Sequence, residues 1–177
     1  MKNNPLITPY LDKYPSISES AFIDITARII GDVKIEDFAS IWPFAVIRAD
    51  SGKVTIGKNT AILDKALIEA PENNDVVIEE NVIISHSAII HGATIKSNVL
   101  VGIGAIVLDG AIVSSGSIIG AGAIVPPNTI IEPNSLVLGI PSKIIRTVKE
   151  EEHTNFIKQL SELLEKSKNY KKMQLNL

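Results

Sequence analysis

Every sixth residue is aliphatic over most of this chain, and that period limits the fold more than any other feature. Stepping by six from Ile17 gives Ile23, Ile29, Ile35, Ile41 and Ile47 without exception. Ile56, Ile62 and Ile68 keep the spacing in a displaced phase. Stepping by six from Val77 gives Ile83, Ile89, Ile95, Val101, Val107, Val113, Ile119, Val125, Ile131 and Val137. A period of six matches neither the 3.6 of a helix nor the 2.0 of a plain strand. It suits a short strand followed by a tight corner, repeated so that equivalent residues stack coil upon coil. With three hexads per coil, residues 17–146 are expected to form a parallel β-helix of about seven coils, roughly 30–35 Å tall at ~4.8 Å per layer.

Steps of nine, from Ile47 to Ile56 and from Ile68 to Val77, mark insertions near Ser51–Lys53 and Pro71–Asp75, both turn-like in composition. Ser87, Ala93, Ala105, Ala111, Ser117 and Ala123 stand two before an aliphatic, as a cramped corner requires. Glycines at 102, 104, 110, 116, 120 and 122 supply permissive backbone near the bends. At Ile83/Ile84 and Ile89/Ile90 either neighbour fits as the inward residue, so two phases, one residue apart, are open there.

The ends differ from the repeat. Residues 1–16 are a polar, proline-broken lead-in that does not read as a signal peptide. Residues 147–177 read as one amphipathic helix and tail, with Phe156, Ile157, Leu160, Leu163 and Leu164 at helical spacing. Thr147 to Glu150 has the form of a capping box, and Glu150, Glu151 and Glu152 suit the positive end of a helix. A net charge of -3 leaves no basic footprint for nucleic acid. No apolar run approaches the ~20 residues of a membrane span. With no cysteine, thiolate metal sites and disulfides are excluded. The expectation is a soluble, cytoplasmic protein.

Two of the three histidines, His86 and His91, fall inside the repeat. Imidazole is the commonest metal ligand, and two rings plus a third group can hold zinc with a position left for water. In the later phase Glu69 follows Ile68 as His91 follows Ile90. Their separation of 22 is one 18-residue coil plus a four-residue insertion, so they stack as neighbours in one column. His86 lies on the preceding face, placed to meet a metal held by a neighbouring subunit. Arg48 and Asp50, two apart on a strand, share one face, where they can pair or bridge chains. Asp64 follows about one coil later, and an Arg48–Asp64 bridge between subunits is the preferred reading. Trp42 and Phe44 read as interface or corner packing, and His153 as a solvated helix residue.

From Ile17 to Arg146 the sequence resembles the γ-class carbonic anhydrase-like family of left-handed β-helices. The resemblance is carried by Ser40-Ile-Trp-Pro, Val46-Ile-Arg-Ala-Asp50, His86 and His91-Gly92. Val101-Gly-Ile-Gly-Ala-Ile-Val-Leu-Asp-Gly110, Ile119-Gly-Ala-Gly-Ala-Ile-Val-Pro126 and Gly139-Ile-Pro-Ser-Lys143 complete it. It implies the left hand of the solenoid and a homotrimer with zinc, iron or cobalt at each subunit interface. It also implies reversible hydration of carbon dioxide to bicarbonate, in which the metal lowers the pKa of water. By the same resemblance His91 and His86 match two of the three family histidines, His86 being the one given by the neighbouring chain. The third position holds Glu69. Arg48, Asp50 and Asp64 stand where the family places charges at the interface and site wall. The family's asparagine, glutamine and glutamate correspond to Ala61, Leu63 and Ser51. Two rival readings stay open: an acyltransferase or thioesterase on a coenzyme A ester, and a non-catalytic trimeric scaffold or binder.

Overall fold

The structure, a computed structural model, describes residues 4–174. It is a parallel β-solenoid of about seven coils with one helix after it. One face is an eight-stranded sheet. Its seven parallel rungs are Phe22–Ile23, Ser40–Ile41, Ala61–Ile62, Ile83–Ile84, Leu100–Val101, Ile118–Ile119 and Ser135–Leu138. The other two faces form one twelve-stranded sheet, because the long strands Arg28–Ile35 and Val46–Ile56 run around the corner between them.

The inward column is aliphatic. Ile29, Ile41, Ile47, Ile56, Ile62 and Ile68 are fully buried, as are Val101, Val107, Val113, Ile119 and Val125. Each such side chain contributes about 1.5–3 kcal/mol of transfer free energy. The position two before is small in many coils, where Ala27, Ala39, Ala45, Ala66, Ala105 and Ala111 are buried to 1% exposure or less, while Val54 and Val99 fill it, equally buried, before Ile56 and Val101. Where that position is Thr60, its polar group is satisfied. The Thr60 hydroxyl donates to the Glu79 carbonyl at 2.7 Å and accepts from the Val82 N–H at 3.1 Å.

Between Val76 and Ile95 the structure selects the later phase. Ile78, Ile84 and Ile90 point inward with no exposure, while Val77 and Ile89 are half-buried and face outward. The run from Val77 is therefore two columns, joined by a step of five from Ile90 to Ile95. Ala88, not Ser87, is the buried small residue there. Coil lengths follow from the register. Ile41 pairs with Ile62 and Ile62 with Ile84, steps of 21 and 22, whereas Ile84 pairs with Val101, a step of only 17. The first insertion is not a free turn, since Val46–Ile56 stays one extended strand with a bulge opposite Gly31–Val33.

Corner residues repeat as faithfully as the core. Asn98, Gly104, Gly110, Gly116, Gly122, Asn128 and Asn134, six apart, all have positive φ. Asparagine tolerates that region better than most residues with a side chain.

After the last rung the strand Lys143–Thr147 turns back and pairs antiparallel with Ser135–Leu138. That pairing takes Thr147 out of the helix, so the cap lies two residues later than the sequence suggests. The helix is Glu150–Gln174, and the Lys149 N–H is met by Glu152, not Glu150, at 2.8 Å. Arg146 grips the same carboxylate with two bonds of 2.8 Å. The Arg146 guanidinium and the Lys149 N–H lower the Glu152 carboxyl to about 2.

The helix descends the eight-stranded face. Its Phe156 and Leu160 pack on Phe22, Trp42, Ala61, Leu63 and Ile83. Gln174 accepts from the Ile25 N–H and donates to the Ile23 carbonyl in the first full coil. At 1.5 Å per residue a helix of this length spans about 37 Å, close to the height of seven layers. Trp42 is buried, edge-on to Tyr170 of the helix at 5.4 Å and to Phe22 at 5.8 Å. Phe44 is an exposed corner residue with positive φ and takes no part in that packing.

Candidate functional site

Three in-register rungs place a charged row on the outer surface of the twelve-stranded sheet. Arg48 pairs with Glu69, and Glu69 with His91, as direct neighbours. Ile47, Ile68 and Ile90 just before them point inward, so strand alternation sends these three side chains outward together. The row extends at both ends. The Arg48 guanidinium donates to Asp50 at 2.8 Å and, through its other nitrogen, to Glu69 Oε1. At the far end His91 Nδ1 lies 2.9 Å from Asp109 Oδ1. Glu69 Oε1 is 3.8 Å from His91 Nε2, so five side chains form a continuous line across four coils.

The charges tune one another. Burial pushes the Asp50 carboxyl up, but Arg48 and the N–H groups of Asp50 and Ser51 outweigh it and hold Asp50 below the usual carboxylate range. Hydrogen bonds to Asp50, then to Glu69, raise the Arg48 guanidinium further above its already high value. From the lead-in, Lys13 donates to the carbonyls of Asp50 and Ser51, tying the insertion down beside the row.

Asp64 and His86 occupy a corner. His86 Nδ1 lies 3.1 Å from Asp64 Oδ2 on a half-exposed ring. Within the chain Arg48 therefore pairs with Asp50 and Glu69, and Asp64 with His86. Leu63, at the position where the family resemblance calls for glutamine, is 3% exposed and lies in the cluster beneath the C-terminal helix. His153 sits on the helix with Nε2 3.3 Å from Asn134 Oδ1, away from the row.

An apolar ladder runs beside the charged one. Val46, Leu67, Ile89, Ile106 and Ile124 pair in register, each half-buried and two residues before the charged column where that column exists. At the adjoining corner Ile25 and Ile103 are more than half exposed.

Glu69 Oε1 and His91 Nε2 are spaced nearly as two ligands of one ion are. Two donors each about 2.0–2.2 Å from a shared zinc lie roughly 3.4 Å apart at the tetrahedral angle. The Glu69–His91 pair, 3.8 Å apart, needs a shift of only a few tenths of an ångström. Among the described residues no group of three or more such side chains gathers closely enough to hold an ion.

Asp109 joins the row unannounced by the repeat, although an 18-residue step from His91 lands on it. Because Ile90 pairs with Val107, Asp109 stands opposite Gly92, one place beyond the strict register. Gly92 has φ +56°, and a Cβ there would lie 2.6 Å from Asp109 Oδ1. The bare backbone at 92 is what lets the Asp109 carboxylate reach back to the ring.

No family model matches the chain. Over 169 residues it is 40% identical to a protein named carbonic anhydrase from Geobacillus kaustophilus, covering 96% of this chain and 93% of that one. It is 47% identical to the uncharacterized transferase YtoA of Bacillus subtilis, again over 96% of this chain and 99% of that one. The match to Protein YrdA of Escherichia coli, 39% over 84 residues, spans only 46% of that relative's length. A solved structure from Bacillus cereus, described as a presumed acetyltransferase, superposes with a TM-score of 0.93 at 35% identity, covering 94% of this chain and 97% of that one. No helix among the described residues is long and apolar enough to cross a membrane.

Proposed function

The chain belongs to the γ-class carbonic anhydrase-like family of hexapeptide-repeat left-handed β-helices, and on that premise we propose that it is a cytoplasmic homotrimeric metalloprotein that hydrates carbon dioxide. One zinc, iron or cobalt ion sits at each interface, held by Glu69 and His91 of one chain and His86 of the next. The observation that carries this reading is the in-register Glu69–His91 pair, its facing atoms 3.8 Å apart.

The rest of the surface supports it. The apolar ladder of Val46, Leu67, Ile89, Ile106 and Ile124 suits burial against a second prism, alongside the corner that carries Asp64 and His86. Asp64 leaves Nε2 of His86 as the uncommitted nitrogen, and Arg48 gains Asp64 of the neighbour as an added partner. A divalent ion in this place supplies the Lewis acidity that makes water a nucleophile near neutral pH. Glu69 and His91 hold the ion, His86 closes the set from the other chain, and the apolar ladder excludes bulk water from one side. A carboxylate in place of a third imidazole makes the set more anionic, which leaves water near it less acidic. Leu63 offers no hydrogen bond to orient that water. Hydration is therefore slower than a three-histidine site with its glutamine would give.

Elemental analysis of the purified trimer and stopped-flow carbon dioxide hydration test this together. One ion per chain, lost in His91→Ala, with hydration above the buffer rate, is the expected result. A monomer, or a metal-loaded trimer no faster than buffer, rejects the hydratase reading. A second reading, acyl transfer from a coenzyme A ester, is favoured by the transferase descriptions of the YtoA and Bacillus cereus relatives. Acetyl-CoA turnover that survives chelation would select it.

A further inference from the structure

His91 has two ring nitrogens, and only one of them can serve an ion shared with Glu69. Nε2 faces Glu69 Oε1 across 3.8 Å, and Nδ1 lies 2.9 Å from Asp109 Oδ1. A carboxylate at 2.9 Å accepts the proton of a ring nitrogen, and a ring protonated there carries its lone pair on the other nitrogen. Resting on the ion-binding reading above, we infer that Asp109 is a positioning residue for that site: it keeps the His91 proton on Nδ1 and turns the Nε2 lone pair toward Glu69.

Three features built into the fold serve this arrangement. The short coil between Ile90 and Val107 shifts Asp109 opposite Gly92 instead of opposite His91. Glycine at 92 leaves free the space the carboxylate crosses, since a Cβ would stand 2.6 Å from Oδ1. The backbone on either side is fixed independently of the side chain: the Gly110 N–H donates to the Gly92 carbonyl at 2.7 Å, and the Asn128 N–H to the Asp109 carbonyl at 2.8 Å. The Asp109 side chain is partly exposed, so its replacement leaves no buried charge or cavity. Partners of this kind that orient ligand histidines are worth about 10–100-fold in metal affinity.

The test uses three full-length proteins: wild type, Asp109→Ala and Asp109→Asn. The asparagine keeps an amide oxygen able to accept from Nδ1. Long-range proton–nitrogen NMR correlation on the metal-free proteins, at a pH where the ring is neutral, reads which nitrogen of His91 carries the proton. Loss of the signals in His91→Gln assigns them. The expected result is a proton on Nδ1 in wild type and in Asp109→Asn, and on Nε2 in most of the Asp109→Ala population. A wild-type ring protonated on Nε2, or an Asp109→Ala spectrum identical to wild type, overturns the inference. Competition with a zinc chelator is expected to show about 10–100-fold weaker Zn2+ binding in Asp109→Ala and recovery to within a few-fold in Asp109→Asn. Equal affinity in all three proteins also overturns it. Failure of the wild type itself to bind Zn2+ rejects the ion-binding reading, and the tautomer measurement then decides the role of Asp109 alone.

Discussion

Gly92 and Gly104 share a backbone conformation but not a neighbourhood, and the pair separates two reasons for glycine at a corner. Their φ angles are +56° and +65°. A Cβ at Gly104 would meet nothing within 4 Å. At Gly92 it would lie 2.6 Å from Asp109 Oδ1, 2.8 Å from Asn74 Cβ and 3.2 Å from Pro71 Cγ. Gly104→Ala therefore carries only the left-handed backbone cost, about 1–2 kcal/mol. Gly92→Ala carries that cost and a crowding term of about 1–3 kcal/mol, because the insertion holding Pro71 and Asn74 has to move. With a urea slope of about 2 kcal/mol/M, the two variants separate by roughly 0.5–1.5 M in midpoint. The assay is equilibrium urea unfolding followed by circular dichroism at one fixed protomer concentration, since assembly shifts apparent stability. Coincident midpoints would refute the reasoning, because crowding at Gly92 would then contribute nothing.

Three further outcomes are expected. Ile78→Ala should destabilise by about 2–5 kcal/mol and Val77→Ala by under about 1 kcal/mol; the reverse order, read from the same urea curves, would restore the earlier phase of the repeat. Glu152 has a folded pKa of about 2 against an ordinary 4.5, so its bond to Arg146 stabilises fully above the ordinary value and is lost as pH falls toward the folded one. Glu152→Gln should flatten that part of the acid limb of stability against pH, and an acid limb identical to wild type would contradict the assignment. Tyr170→Ala uncovers one side of Trp42, the sole tryptophan, and should raise acrylamide quenching of its fluorescence; unchanged quenching would mean that the helix does not shield the ring.

Most of the architecture is legible because a solenoid repeats one local solution, so each inward aliphatic reports on all the others. Ile17 to Ile47 could be placed by counting alone. Counting failed at Val77, Ile83 and Ile89, where aliphatics occupy adjacent positions and hydrophobicity cannot distinguish the inward side from the outward one. The deciding signals are subtler: Ala88 as the small buried neighbour, and the five-residue step across Gly92. Placing Glu69 beside His91 needed only one coil length and one insertion. Asp109 escaped because its contact crosses the register, and Leu63 because its role depends on a helix about a hundred residues later. The cap at Lys149 and Glu152 was hidden for a related reason, since Thr147 is claimed by a strand pairing that local spacing does not encode.

That returning strand, Lys143–Thr147, has a bearing on solubility. A stack of parallel coils ends in a rung whose amides and carbonyls invite another copy to add on, in the manner of a growing fibre. Here the chain folds over its own last rung on one face, while Gly139 and Ser142 satisfy the Ile124 backbone on a second. A second prism approaching this end therefore finds two of its three walls already closed, which disfavours end-to-end stacking there.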